Sequence, residues 1–455
     1  MAAKKKTDTA VIIMMAGMGT RMKSAIPKVL HHACGQPLGK WVIDSCRKAG
    51  LDNRVIVVGH EADTVSATFP DEKFELQSPQ HGTGHAVMVG MNGVPKSAKN
   101  VLILSGDVPC LQAVTISNLI KHHEKKKLSA TVLSFFPPEP SHYGRMIRDE
   151  NFNLQSITES KDLKGDDVYL EECNSGIYVF NRKELDEALG KLKPNEKSGE
   201  YHLPDVLDYM LEKGLKIDAV AVEDWMEAMG VNNRVELSEA GDYLRWKIAE
   251  KHMLNGVTIT DVGTTWIGPD VKIGKDSTIM PGTIIMGQTK IGEGSVIGPY
   301  TQATDVSIGK YAVIRQSVLL ECQIDDEVTI GPFAHIRPKS RLHKKSHVGN
   351  FVEMKKTDFG EGSKSGHLTY LGDTIVGKDV NIGAGTITCN YDGKQKNVTE
   401  IGDGTFVGSD SILVAPIKIG KNAYTAAGST LNQDVPSRAL AFGRARQLNK
   451  KGWVK

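Results

Sequence analysis

The chain has 455 residues, with 56 Lys plus Arg against 54 Asp plus Glu. That length exceeds one ordinary core and predicts two or more domains, while the near-balance of charge argues against a general nucleic-acid or membrane-surface role. Cys34, Cys46, Cys110, Cys173, Cys322 and Cys389 show no CxxC or other ligand spacing, which fits reduced thiols in a cytoplasm.

The apolar run from Ala10 to Ala16, behind Lys4-Lys5-Lys6, is too short to span a membrane and lacks a small-residue cleavage pattern. It reads as a buried strand, Thr9 to Ala16, emptying into Gly17-Met18-Gly19-Thr20-Arg21-Met22 and then Pro27-Lys28. A strand that runs into a short glycine-rich loop is how α/β proteins bring backbone N–H groups to phosphates. The string is neither a P-loop nor the GxGxxG of dinucleotide folds, and a plain tight turn explains it equally well on its own. Val55 to Val58 and Asn100 to Ser105 read as further strands, the latter ending in Gly106-Asp107-Val108-Pro109. An aspartate just past the carboxyl end of a parallel strand lies where open α/β sheets bind ligands, and it suits Mg²⁺ beside a triphosphate. The competing reading is a turn or N-cap aspartate. Between those strands, Gln77-Ser78-Pro79-Gln80-His81-Gly82-Thr83-Gly84-His85-Ala86 sets glutamines and a GTG turn ahead of a helix, a pattern suited to the edge of a base.

From Ser238 to Leu254 the pattern turns helical, with Ser238 as the expected N-cap, Leu237 as the apolar residue before it and Asn255-Gly256 as the stop. The expected organisation is a first domain over 1–234, a linker helix over 235–255 and a second domain over 256–455.

The second domain carries a beat of six: Ile267, Ile273, Ile279, Ile285, Ile291 and Ile297, then after slips Ile324, Ile330 and Ile336, Val376 and Ile382, and Ile401, Val407, Leu413 and Ile419. Neither a helix nor a flat strand has this period. A chain that turns a corner every six residues and sends one branched side chain inward per side does, and the Gly, Asp or small polar residue after it is expected to take the corner. This is the hexapeptide form of the parallel β-helix. Polar strings interrupt the beat at Arg337-Pro338, Asn350 to Lys356, Gly366 to Asp373 and Asn381 to Gly393.

Taken together, these strings resemble the bifunctional bacterial N-acetylglucosamine-1-phosphate uridyltransferase / glucosamine-1-phosphate acetyltransferase family over almost the whole chain. The resemblance implies a Rossmann-like α/β nucleotidyltransferase domain followed by a left-handed β-helix, and a homotrimer with shared sites. By that resemblance the loop Met14, Met15, Ala16 and Gly17 meets the nucleotide, Gln77, Gln80, Gly82 and Thr83 contact the uracil of UTP, and Arg21 and Lys28 meet the phosphates. Ser105 and Gly106 adjoin them, Asp107 and Asn232 hold Mg²⁺, and Gly144, Glu159 and Asn174 hold the N-acetylglucosamine 1-phosphate portion. In the second half His367 is implied as the general base toward the amine of glucosamine 1-phosphate, a task that suits the imidazole pKa. Arg337 and Lys355 would bind the sugar phosphate, Tyr370 and Asn381 the sugar hydroxyls. Asn390 and Tyr391 would face the acetyl group, and Ala384, Ser409, Ala427 and Arg444 would line acetyl-CoA.

Three positions depart from the family pattern. Met15 replaces a usual Ala and is expected to stand beside the nucleotide; Met18 replaces a frequent Lys; Ser105 replaces a frequent Tyr. Altered UTP affinity is the expectation. Two competing readings are a nucleotidyltransferase with a purely structural β-helix, and a β-helix carbonic anhydrase binding zinc through His335, His343, His347 and His367, whose irregular intervals argue against it.

Overall fold

The computed structural model describes residues 8–140, 143–195 and 199–454. The chain divides into two compact units, Met1–Leu244 and Arg245–Lys455, and the division falls within one helix, Arg234–Leu254.

The first unit is built on a twisted sheet. Its strands are β1 (Thr9–Met14), β2 (Arg54–Val58), β3 (Lys73–Leu76), β4 (Asn100–Ser105), β5 (Ala130–Phe135), β6 (Arg145–Arg148), β7 (Leu154–Thr158), β8 (Cys173–Asn181) and β9 (Ile217–Ala221). The main path runs β9-β5-β8-β4-β1-β2-β3, with β6 and β7 attached beside β8. Neighbours are parallel except β8, which runs antiparallel to β4 and β5. Both faces of the sheet are covered, which explains why β1 reads as an unbroken apolar run. Ala10 and Ile12 enter one core with Val55, Val57, Val101 and Ile103. Val11 and Ile13 enter the other with Ile56, Val58, Leu102 and Leu104. Helix Gly82–Met91 packs on the first face, and helices Leu38–Lys48 and Ala113–Lys126 on the second.

In the second unit each core residue pairs in parallel with the residue one coil on. Ile267 faces Ile285 and Ile279 faces Ile297, 18 positions on in both cases. The slips in the beat are shortened coils, as where Ile291 pairs with Ile308 and Ile308 with Ile324. One coil is lengthened, so that Val376 pairs with Ile401. The periodic isoleucines are fully buried, Ile273 excepted, which is partly buried. One face bears charged or polar outward residues: Lys272, Lys290, Gln323, Arg341 and Asp358. The other two are apolar or hydroxyl-bearing along much of their length, through Val296 and Val313 on one and Ile284 and Val318 on the next.

Two expectations are corrected. Of the glycines after the isoleucines, Gly268, Gly274 and Gly292 do not take a left-handed corner, whereas Gly298 has φ 102°. Gly292 is required because a Cβ there would stand 2.5 Å from the Gly309 carbonyl carbon on the next coil. The left-handed corner comes two residues later, and Tyr311 (φ 56°), Glu327 (φ 59°) and Lys345 (φ 61°) adopt it on successive coils. The linker helix begins at Arg234, so Ser238 lies inside it. Its cap is Asn233, whose Oδ1 accepts from the Val235 and Glu236 amides at 2.8 and 3.0 Å.

Candidate functional site

Strand order reverses between β1 and β4, and the loops leaving both strands meet there, as open α/β sheets arrange ligand sites. They open a cavity of about 470 Å³ lined by Met14, Ala16, Gly17, Met18, Lys28, Gln77, Gln80, Gly82, Thr83, Ser105 and Asp107. Gly19 holds φ 62°, and a Cβ on it would collide with Lys28 Cβ, so the second glycine of the loop lets the lysine lie close to the turn.

The Lys28 ammonium donates to Asp107 Oδ2 and, at 3.2 Å, to Asn232 Oδ1. Arg21 donates to the same Asn232 oxygen at 2.9 Å. Asn232 is held from behind, since its amide donates to Glu236 Oε2 at 2.6 Å across the capped helix start. Thus residues more than 200 positions apart converge: two oxygen donors to a cation, each shared with a basic side chain. On the opposite wall Gln80 Nε2 donates to the Ala16 carbonyl at 2.5 Å and Gln77 Nε2 to the Gly82 carbonyl at 2.9 Å. Gln80 therefore ties this loop to the one leaving β1, while Gln77 closes its own loop.

Met15 lines the same cavity, but most of its side chain packs away from it. Its side chain is 3% exposed and turned into the core, its Cγ 2.5 Å from where a Cβ on Gly106 would lie and its Cε 2.8 Å from one on Gly39. Its bulk is absorbed by glycines. Met18, at 56% exposure, also stands at the cavity wall. Sequence reading missed Glu200, which also lines the cavity. It arrives on a segment tied by Tyr201 N to His81 O and by Leu203 N to Thr83 Oγ1, at 2.8 and 3.1 Å, and no local motif announces it.

Gly144, Glu159 and Asn174 lie outside that lining but cluster together. The Asn174 amide donates to the Gly144 carbonyl at 2.9 Å. A Cβ on Gly144 would stand 3.3 Å from the carbonyl oxygen of Thr158, the residue before Glu159. Beside Gly144, burial pushes the Tyr143 phenol up to about 12, so it stays protonated.

On the β-helix the candidates form two columns. His367 pairs with Asn350 on the coil before it, and the imidazole Nδ1 lies 2.8 Å from Asn350 Oδ1. Because that oxygen only accepts, Nδ1 carries the proton and Nε2 keeps its lone pair for a base role. Following the register on from Lys364–Asn381, Ile382–Val407 and Val407–Thr425, the positions stacked on His367 are Ala384, Ser409 and Ala427. The side chains stacked below the imidazole are therefore small. Asn381 opens the next strand of this face, and Arg444 is exposed after the last one.

The second column stands at the far end of the same strand. Ile336 pairs with Met354, so Arg337 lies over Lys355, which pairs with Gly372. Arg337 is ion-paired to Glu353 at 2.7 Å. Lys396 first, then Arg337, hold the Lys355 ammonium below the ordinary lysine range by repulsion. Asn390 donates to Asp373 Oδ2 at 2.6 Å, and Tyr370 and Asn390 both approach Gly372. Asn390 to Gly393 forms the expected turn, closed by a Tyr391–Lys396 bridge. Sequence reading missed Asn350, Glu353 and Lys396. His367 precedes the left-handed corner at Leu368 (φ 47°) and Gly372 precedes the next, at Asp373 (φ 48°), so the imidazole and the Arg337-Lys355-Asn390 cluster stand at successive corners of the coil.

The zinc reading fails on geometry. Among the described residues no three His, Cys, Asp or Glu side chains converge on a metal position. His343 lies between Asp325 and Asp358, and His347 bonds Thr329. No described helix is long and apolar enough to cross a membrane.

Comparison with known proteins adds three family matches. The nucleotidyl transferase model matches residues 10–264, the bacterial transferase hexapeptide (six repeats) model residues 264–302, and the hexapeptide repeat of succinyl-transferase residues 398–433. The coiled unit is therefore a left-handed parallel β-helix. Relatives named Bifunctional protein GlmU include one from Fervidobacterium nodosum, 48% identical over 446 residues, covering 98% of this chain and 97% of the relative. Those from Caldanaerobacter subterraneus subsp. tengcongensis and Geobacillus sp. (strain WCH70) are 47% and 44% identical over 444 residues, covering 97% of each chain.

Proposed function

This chain belongs to the GlmU family of bifunctional proteins, and on that premise we propose that it makes UDP-N-acetylglucosamine in two steps on two units. The β-helix unit, 256–455 by sequence, transfers acetyl from acetyl-CoA to glucosamine 1-phosphate. The sheet unit, 1–234, then transfers uridylyl from UTP to N-acetylglucosamine 1-phosphate, and pyrophosphate leaves. The helix between them is the linker.

In the acetyl transfer the 2-amino nitrogen attacks the thioester carbonyl, His367 Nε2 takes the amine proton, and the CoA thiolate departs. Asn350 fixes the imidazole tautomer. Arg337, Lys355 and Lys396 hold the sugar phosphate, Tyr370 and Asn381 its hydroxyls. Asn390 and Tyr391 flank the acetyl group, the Ala384-Ser409-Ala427 column receives the thiol arm, and Arg444 meets the nucleotide phosphates. Because His367 and the cationic column are apart in one chain, a neighbouring copy completes the site. The two apolar faces of the β-helix suit a homotrimer, whereas the charged third face suits water.

In the uridylyl transfer the sugar phosphate oxygen attacks the α-phosphorus in line. The site's task is positioning and charge neutralisation. Arg21 and Lys28 meet the phosphates, Gln77, Gln80, Gly82 and Thr83 hold the uracil, and Gly144, Glu159 and Asn174 hold the sugar. Asp107 and Asn232 fit Mg²⁺, since both offer hard oxygen donors that already share one cationic group, the Lys28 ammonium. Bound there, the metal supplies charge neutralisation at the triphosphate. A cytoplasmic setting suits the six free thiols.

The observation that carries this reading is that each unit has its own charged constellation, one around Lys28, Asp107 and Asn232 and one around His367 and Lys355. The test supplies glucosamine 1-phosphate, acetyl-CoA, UTP and Mg²⁺ and follows free thiol and pyrophosphate separately. Both products are expected. Pyrophosphate from N-acetylglucosamine 1-phosphate, with no thiol from acetyl-CoA, would support a structural β-helix instead.

A further inference from the structure

Arg145 opens β6 and is 3% exposed. Its guanidinium forms no ion pair among the described residues; its donors go to backbone carbonyls and to the Cys173 thiol. Nε donates to Leu170 O at 2.8 Å, and Nη1 to Pro140 O at 2.6 Å and to Tyr143 O. Burying a charge against neutral partners alone is a costly way to stabilise a fold, so the position asks for another account. The carbonyls belong to two segments. Tyr143 immediately precedes Gly144, and Leu170 lies on the approach to Cys173-Asn174, with Cys173 itself paired to Arg145 across β8 and β6. Gly144 and Asn174 are in turn joined by the backbone hydrogen bond described above, with Glu159 beside them.

We propose that Arg145 is a positioning residue for the sugar-phosphate acceptor of uridylyl transfer. It staples the segments that flank Gly144 and Asn174, and so sets affinity for the acceptor without acting on UTP. The inference rests on the reading that Gly144, Glu159 and Asn174 hold the sugar. No carboxylate could replace its role, because planar multi-carbonyl donation needs the guanidinium fork.

The test uses the full chain with Arg145→Lys and Arg145→Gln, and with Glu159→Gln and Asn174→Ala as reference variants. The KM for N-acetylglucosamine 1-phosphate and for UTP are measured separately, with acetyl transfer on the same samples as a control for folding. Arg145→Gln is expected to raise the acceptor KM about tenfold or more and leave the UTP KM within about twofold, with Arg145→Lys between it and the parent. Equal movement of both KM values, or no movement, overturns the proposal; should the Gln variant not fold, the Lys variant decides on the same criterion. If Glu159→Gln and Asn174→Ala leave the acceptor KM unchanged, the sugar reading itself fails. If they raise it and the Arg145 variants do not, only the role of Arg145 falls.

Discussion

The two units gather their polar residues in different ways. In the sheet unit, loops from β1 and β4 and the start of the helix at Arg234 bend toward one point, and Lys28, Asp107 and Asn232 meet at a cavity within one chain. In the β-helix unit, stacking repeats can only arrange residues in columns on an outer surface. His367 is exposed, as is Tyr391, and the cationic column lies at the other end of the strand. A sheet edge builds a container from one chain; a prism of coils builds one wall. On the proposed reading the sheet unit closes its own site, and the β-helix shares its site with a second copy.

The sharpest way to break this comparison is to disable one unit. His367→Asn is expected to lower the turnover of acetyl transfer by roughly 10²- to 10⁴-fold, the range of a lost general base, with uridylyl transfer unchanged in a pyrophosphate assay. Loss of both activities would contradict the separation. Next in size is a charge on an apolar β-helix face. Val313→Glu, remote from His367, would bury an unpaired carboxylate at the proposed contact between copies and is expected to weaken association about 100-fold or more. Sedimentation should then detect smaller species that keep uridylyl transfer and lose acetyl transfer.

A smaller effect concerns pH. The Lys355 ammonium, held below the ordinary range mainly by Lys396, loses its proton at lower pH than a free lysine. Binding of glucosamine 1-phosphate should therefore weaken as pH rises through that lowered value. Lys396→Met removes the main repulsion and should move this alkaline limb upward while weakening neutral-pH binding by roughly fivefold. An unmoved limb in a KM–pH profile would detach Lys355 from the phosphate. The smallest effect is Met18→Lys, which restores a cation at the cavity wall and should lower the UTP KM by roughly two- to fivefold. An unchanged KM would remove the charge argument.

Much of this was legible before any coordinates. The isoleucine beat gave the β-helix because one inward residue per side is a one-dimensional pattern, and Lys28, Asp107 and His367 stand in strings dense enough to read. What escaped is set by contacts distant in sequence or by the coil. Tyr311, Glu327 and Lys345 take left-handed corners that their side chains do not favour, because the turn of the coil imposes them. Met15 lines the cavity as its place in the loop suggests, but the space left by Gly39 and Gly106, which takes up its bulk, is not visible along the chain. Asn233 rather than Ser238 caps the helix, since Glu236 reaches back to Asn232 and Asn233. Asn350, Lys396 and Arg145 act through partners on other coils or loops, which spacing along the chain does not reveal.

Complementation between crippled copies tests the contrast most directly. Chains carrying His367→Asn and chains carrying Lys355→Ala are co-expressed, and acetyl transfer by the mixed assembly is compared with that of each variant alone. Activity well above the sum of the two is predicted, because some interfaces then unite an intact imidazole with an intact cationic column. A mixture that never exceeds that sum would mean each chain holds its whole acetyl-transfer site by itself.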